Sequence, residues 1–318
     1  MNGLITTEIE FMFESARPGV SPAVSVVSML ALLVGAAGYA VANAMDDSAG
    51  DPPQESADRE PGFPDAGIDG TLIIAGGGGT PEEGREAFIE HAGGAEDARI
   101  VVIPTASNRA DEDHAEEFYT TPWTDRGVQQ ITMLHTRDRD LADDESFVEP
   151  LRDATGVWVS GGAQARIIAA YRDTLVHEEL HAVLKRGGVI GGTSAGAAMM
   201  SDPMIERGNP EPEISPGMGF LPGIIIDQHA RQRDRLPRLR NALDRTPGYV
   251  GLAIDEKTAL IVQGTSADVV GRAIVTEILP AGDDNNEQQE RQLEHGDEID
   301  LFDLSRKAVR RSAGLRDN

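Results

Sequence analysis

Short apolar runs recur along the middle of the chain, each closed by glycine or proline. Thr71 to Ala75 (TLIIA) stops at Gly76–Gly79, and Arg99 to Ile103 (RIVVI) stops at Pro104. Gly127 to Leu134, Gly156 to Val159 and Gly188 to Ile190 carry three more. Runs that are apolar at successive positions, not alternate ones, suit strands buried on both faces. Between them lie stretches with helical spacing: Pro81 opens one that reaches about Ala92, and Gln164 to Leu184 carries another. This alternation predicts an α/β fold, a mostly parallel sheet with helices on both faces. From Val250 the pattern changes. Gly251 to Ile254, Ala259 to Val262, Asp268 to Val270 and Ile274 to Leu279 read as short strands joined by turns, a small antiparallel C-terminal addition. Residues 281–297 are polar and acidic and read as a surface loop.

The N-terminal pattern is different in kind. Pro18 to Met45 carries no charge, and the run ends at Ala42-Asn43-Ala44, a small-x-small pattern suited to signal cleavage. A run of this length also suffices to span a bilayer if it is retained. Asp46 to Gly70 is rich in Pro, Asp, Glu and Gly and offers little to pack. The expected organisation is therefore a signal peptide or membrane anchor at 1–44, a disordered acidic, Pro-rich linker at 45–70 and one folded domain at 71–318. The protein is expected to be secreted or extracytoplasmic, meeting the membrane only through its N-terminal segment.

Composition narrows the function. The 54 acidic against 28 basic residues leave a net charge of −26, which repels phosphates and argues against a nucleic-acid partner. Cysteine is absent, so disulfides, thiolate metal sites and a Cys nucleophile are excluded.

In parallel sheets of this kind, ligands sit outside the carboxyl ends of the strands. Just after one such strand stands Gly192-Thr193-Ser194-Ala195-Gly196. This is the strand–turn–helix layout of a nucleophile elbow, in which small neighbours permit a tight bend and expose the serine hydroxyl. The amide of Ala195 would then face a developing oxyanion. A serine needs an adjacent base, and among seven histidines His229 follows the apolar strand Gly223 to Ile226 at the rim where a base would sit. The carboxylate that orients it should follow another strand. Asp255 and Glu256 both do, and adjacent residues of an extended chain point to opposite sides, so only one can serve. Arg231, Arg233, Arg235, Arg238 and Arg240 come next along the chain from His229. They read either as a clamp for substrate carboxylates or as internal partners of the abundant acids. Pro237 is placed to open a helix running through Leu243.

Six segments, LIIAGGG (72–78), RIVVIPTAS (99–107), VWVSGGAQARI (157–167), VIGGTSAGAAMMS (189–201), GIIIDQHARQRDRLPRL (223–239) and GLAIDEKTALIV (251–262), together resemble the serine peptidases that include cyanophycinase and aspartyl dipeptidase (dipeptidase E-like). The resemblance covers roughly residues 71 to 305. It implies a flavodoxin-like sheet of the class I glutamine amidotransferase kind and a Ser-His-Glu triad of Ser194, His229 and Glu256. It implies oxyanion amides at Gly162 and Ala195, and a substrate pocket lined by Gln164, Asp227, Gln228, Arg233, Arg235 and Arg238. The implied substrate is a peptide or polypeptide rich in Asp. Cyanophycin is the leading case, a poly-aspartate with arginine on its side-chain carboxylates, cleaved to β-Asp-Arg dipeptides. Ala163 and Ala230 depart from the family pattern, where Asp and Phe are usual, and keep short peptides with an N-terminal Asp as the alternative. A non-catalytic acidic-peptide-binding protein on the same scaffold is the remaining reading. No metal or organic cofactor is implied, and a homodimer is compatible with the family.

Overall fold

The computed structural model describes residues 61–282 and 287–315. The expected signal peptide or anchor, and most of the expected linker, lie outside these residues.

The first half of the described chain alternates strand and helix. It runs β1 (Ile68–Ala75), α1 (Glu82–His91), β2 (Arg99–Ile103), a 3₁₀ turn at Asn108–Asp111, α2 (Ala115–Thr124), β3 (Gln130–Met133), α3 (Arg139–Ala142), α4 (Glu149–Asp153), β4 (Gly156–Val159), α5 (Gln164–Tyr171), α6 (Leu175–Lys185), β5 (Val189–Thr193) and α7 (Ala195–Ala198). A hairpin of β6 (Met204–Arg207) and β7 (Glu213–Ser215) leads to β8 (Ile224–Gln228) and α8 (Leu236–Leu243). The rest is mainly strand: β9 (Val250–Ile254), β10 (Thr258–Gly264), β11 (Ser266–Gly271), β12 (Val275–Leu279), β13 (Gln289–Leu293) and β14 (Glu298–Asp300), closed by α9 (Leu301–Ser312).

Eight strands form one sheet in the order β14-β11-β10-β1-β5-β4-β2-β3. The five from β1 to β3 are mutually parallel, while β10 and its neighbours add antiparallel to the β1 edge. A second sheet has the order β13-β12-β9-β8, with β8 and β9 parallel. The expected α/β fold is therefore present, with its C-terminal strands divided between an extension of the main sheet and a smaller sheet.

The apolar runs are continuous because alternate residues serve different layers. Leu72, Ile74, Val101, Ile103, Val157 and Ile190 belong to the core on one face. Ile73, Ile100, Val102 and Trp158 belong to that on the other, with Phe88 of α1 and Trp123 of α2. There Phe88 lies 4.8 Å from the Trp123 ring and 5.2 Å, edge on, from the Trp158 ring. Tilted and edge-on pairs at these separations add to simple burial.

Three boundaries differ from expectation. The folded body reaches back to Phe63, which is buried and donates its N–H to Ser305 Oγ at 2.9 Å, and β1 begins three residues before Thr71. Gln164 to Leu184 is two helices, broken where Asp173 takes a φ of 56°. Residues 281–297 are not all loop: β13 pairs antiparallel with β12 although four of its five residues are exposed. Exposure on both faces leaves no apolar alternation to read. Among the described residues, no helix is long and apolar enough to cross a membrane.

Candidate active site

β5 lies between β1 and β4 in the sheet, so the residue after β5 is flanked by the turns that follow its two neighbours. That residue is Ser194. Its backbone is bent to φ 54° and ψ −110°, in the left-handed half of conformational space that a non-glycine residue seldom occupies. Both glycines of the motif are required by proximity. A Cβ on Gly192 would lie 2.3 Å from the Gly196 carbonyl oxygen, and one on Gly196 would lie 2.2 Å from that of Val159. α7 is a single turn, and the Ser194 side chain does not cap it. The hydroxyl goes instead to His229 Nε2, at 2.9 Å.

His229 follows the last residue of β8, as expected from the sequence, and its side chain is only 7% exposed. Its Nδ1 lies 2.6 Å from Glu256 Oε1. A carboxylate accepts, so Nδ1 carries the proton and donates it to Glu256. Nε2 is left to accept from the Ser194 hydroxyl. Burial is the main force on this imidazole and pushes its pKa below the ordinary histidine value. Arg233 and Arg235 push the same way, against the Glu256 hydrogen bond and charge, which raise it. The ring is thus kept neutral near neutral pH, the state a general base needs.

The two adjacent acids part company. Asp255 is buried and accepts from the Arg231 amide at 3.0 Å, the Arg231 Nε at 2.5 Å and the Ile274 amide at 3.4 Å. Glu256 alone faces His229. His135, the other histidine at a strand end, turns away: its Nδ1 meets Thr105 Oγ1 at 2.8 Å and its Nε2 meets Asp111 Oδ1 at 3.0 Å.

The turn after β4 lies against Ser194. A Cβ on Gly161 would be 3.2 Å from Ser194 Cβ and 3.7 Å from its Oγ. Gly162 adopts φ 146° and presses on the Ala106 carbonyl, to which the Ala163 amide donates at 3.0 Å. Gly162 and Ala195, expected to hold an oxyanion, thus belong to two short turns on the same side of the sheet, one of them directly joined to Ser194.

The arginine cluster is divided by its partners. Arg238 is buried and forms a two-pronged pair with Asp227, at 2.6 and 2.7 Å, plus a bond to the Gly208 carbonyl at 3.0 Å. Arg231 pairs with Asp255, and Arg240 pairs with Glu290 at 2.5 Å. Arg235 is half-buried and donates to the Gln228 carbonyl and Oε1 at 2.9 and 2.6 Å. Its pKa is pushed down to about 10, first by burial and then by Arg238. Arg233 is exposed, and among the described residues no carboxylate lies within ion-pair distance of it. Gln164 donates to the carbonyls of Ile205 and Glu206 at 2.9 and 2.7 Å, fastening β6 to the start of α5.

From sequence, Gly76–Gly79 reads only as a strand stop. In the fold, Gly77 lies against the His229 ring and Gly78 against the Glu256 carboxyl. The glycine tract itself was the available signal. Among the described residues, no three His, Asp or Glu side chains gather to hold a metal ion.

Comparison with known proteins gives consistent results. The model of Peptidase family S51 matches residues 72–270. A cyanophycinase of Synechococcus elongatus is 35% identical over 227 residues, spanning 68% of this chain and 70% of that protein. A cyanophycinase of Geminocystis herdmanii is 31% identical over 217 residues, 65% of this chain and 79% of that protein. The crystal structure of a peptidase from an acI-B1 actinobacterium shares the fold, with a TM-score of 0.58 at 23% identity, over 74% of this chain and 98% of that one.

Proposed function

The chain belongs to peptidase family S51 and is a serine-type peptidase, and from that premise we propose that it hydrolyses aspartyl peptide bonds, with cyanophycin as substrate and β-Asp-Arg dipeptides as products. The observation that carries the mechanism is the unbroken series from Ser194 Oγ through the His229 ring to Glu256, at 2.9 and 2.6 Å, and the choice of substrate is supported by the similarity to cyanophycinases. In this mechanism His229 Nε2 takes the hydroxyl proton as Ser194 Oγ attacks the aspartyl carbonyl. The carbonyl oxygen becomes an oxyanion, and the amides of Ala195 and Gly162 stabilise it. The imidazolium then gives its proton to the leaving amine, and Glu256 holds the charged ring in place. Water, activated by the same histidine, releases the acyl group and restores Ser194.

Substrate carboxylates are met by the arginines whose donors are not used up inside the fold. Arg233 is the foremost of these, with Arg235 beside it. Arg238 and Asp227, paired with each other, together with Gln164 and Gln228, shape the wall behind them. Purified enzyme incubated with cyanophycin should release β-Asp-Arg, and Ser194→Ala should release none above background. Turnover of short N-terminal-Asp peptides with cyanophycin left intact would move the substrate to the dipeptidase alternative. Residues 1–44 are proposed to direct export, on the strength of the charge-free run ending in Ala42-Asn43-Ala44. N-terminal sequencing of protein from the native cell tests this, and an intact Met1 in the soluble cytoplasmic fraction refutes it.

A further inference from the structure

Three main-chain hydrogen bonds connect the end of β1 to the reacting residues in strict succession. The Ala75 carbonyl accepts from the amide of Ser194 at 3.0 Å, the Gly76 carbonyl from that of His229 at 2.8 Å, and the Gly77 carbonyl from that of Lys257, next to Glu256, at 2.8 Å. The three donors come from chain segments following β5, β8 and β9. All three also have left-handed backbones, with φ of 54°, 51° and 59°. Such a conformation is unfavourable for residues with a side chain and persists only where its surroundings impose it. Here each is fixed by the next carbonyl along one strand end.

Side-chain contacts follow the same order. A Cβ on Gly77 would lie 2.3, 2.4 and 2.9 Å from Cε1, Nε2 and Nδ1 of His229. A Cβ on Gly78 would lie 2.4 Å from Glu256 Oε2 and 2.7 Å from its Cδ. Gly79, by contrast, has nothing within 4 Å of that position, yet its φ of 101° equals that of Gly77.

We propose that Ala75–Gly78 is a positioning template for the Ser194–His229–Glu256 series: its carbonyls set the backbones of the three segments, and the absent side chains of Gly77 and Gly78 leave the space that the imidazole and the carboxyl occupy. The inference rests on the serine-hydrolase reading of that series, and its residues act through His229 and Glu256.

The two glycines of equal φ provide the test. Gly77→Ala and Gly79→Ala both place a side chain at φ 101°, and only the first also overlaps the His229 ring. Inactivation by a fluorophosphonate, which reports the reactivity of Ser194 without a peptide substrate, is measured for each as a maximal rate and a half-saturating concentration. A methyl group at 77 must displace the ring by about 1 Å, and a misplacement of that size costs on the order of 100-fold in rate. Gly77→Ala should therefore lose about that much in maximal rate, with half-saturation held within about twofold. Gly79→Ala should stay within about threefold of the parent in rate, with a melting temperature lowered by no more than in Gly77→Ala. Should Gly77→Ala not be recovered folded, Gly78→Ala decides instead: its φ of 64° is milder than the 101° of Gly79, so a rate loss larger than that of Gly79→Ala does not come from backbone strain. Equal losses of rate at 77 (or 78) and 79 overturn the template. Failure of the parent protein to react at Ser194 overturns the serine-hydrolase reading and the template with it.

Discussion

Along the chain from His229 come five arginines within ten residues, and through space the same residue is met by a turn of four consecutive glycines. The arginine segment is held by its side chains: Arg231 by Asp255, Arg238 by Asp227, Arg240 by Glu290 and Arg235 by Gln228. The glycine turn is held by its main chain, through carbonyls that no substitution removes and an amide that only proline would remove. The two constructions fail differently. Removing one charge from the arginine segment subtracts one interaction, and the loss depends on how deeply its partner is buried. Adding one methyl group at Gly77 or Gly78 demands volume already held by the His229 ring or the Glu256 carboxyl. On the proposed function, specificity can therefore drift by degrees in the first region, while Gly77 and Gly78 in the second tolerate little.

The sharpest division lies between neighbouring acids. Glu256→Gln should lower kcat on the order of 10³- to 10⁴-fold, since the residue orienting a catalytic histidine has an effect of that size, with little change in melting temperature. Asp255→Asn should do the reverse, lowering the melting temperature while kcat per folded molecule stays within a few-fold. If Asp255→Asn damages kcat more, the orienting acid has been misassigned.

Within the arginine segment, depth sets the order. Arg238→Gln removes both hydrogen-bonded contacts of the buried Asp227 to a guanidinium and leaves only Arg235, 3.9 Å away, and breaking a buried pair in this way costs about 3–5 kcal/mol of stability. Urea unfolding should show it, and adding Asp227→Asn should recover part of the loss. A loss below about 1 kcal/mol, as for a surface ion pair, would place this pair outside the structural framework.

Arg233→Gln is the mildest change and the most diagnostic. Loss of one charge-assisted pair, about 1.5–3 kcal/mol, should lower kcat/KM on an aspartyl substrate about ten- to hundredfold while hydrolysis of a small neutral ester is kept. Equal losses on both substrates would remove the acidic-substrate reading. The same variant has a pH signature. In the proposed mechanism His229 acts as a base only when neutral, and burial and Arg233 both disfavour its proton. The acid limb of kcat/KM should thus lie below the ordinary imidazole value of about 6.5. Removing the Arg233 charge should shift the limb upward, and Glu256→Gln should shift it downward.

The parallel sheet and the elbow were legible in the sequence for local reasons. Apolar runs bounded by Gly and Pro, and small residues around Ser194, are patterns written within a dozen positions. His229 could be singled out because it directly follows one of those runs. What the residues alone left open, and only the resemblance addressed in part, was relational. Asp255 and Glu256 are equivalent until Arg231 and the Ile274 amide claim the first of them. Gly77, Gly78 and Gly79 are identical letters, separated only by what lies opposite. β13 carries too little apolar surface for its pairing with β12 to leave a trace. The arginines looked alike for the same reason: each one's role depends on a partner, and for Asp255 and Glu290 that partner lies tens of residues away in the chain.

The β6–β7 hairpin has a consequence for how this protein can diversify. Its base is fastened: the Met218 amide donates to the Met199 carbonyl at 2.7 Å and that of Leu221 to the Met200 carbonyl at 2.9 Å. Its body reaches from Gln164 to the arginine segment, where Asn209 donates to the carbonyls of Arg233 and Asp234 at 3.2 and 3.1 Å. A segment with both ends pinned together can change length cheaply, since doubling a flexible loop adds only about 0.6 kcal/mol of closure entropy. The hairpin can therefore take changes of length that keep its bonds to Gln164, Arg238 and Asn241. Insertions there can remodel the approach to Arg233 while Ser194, His229 and Glu256 remain on other segments, so new substrates can be tried without rebuilding the chemistry.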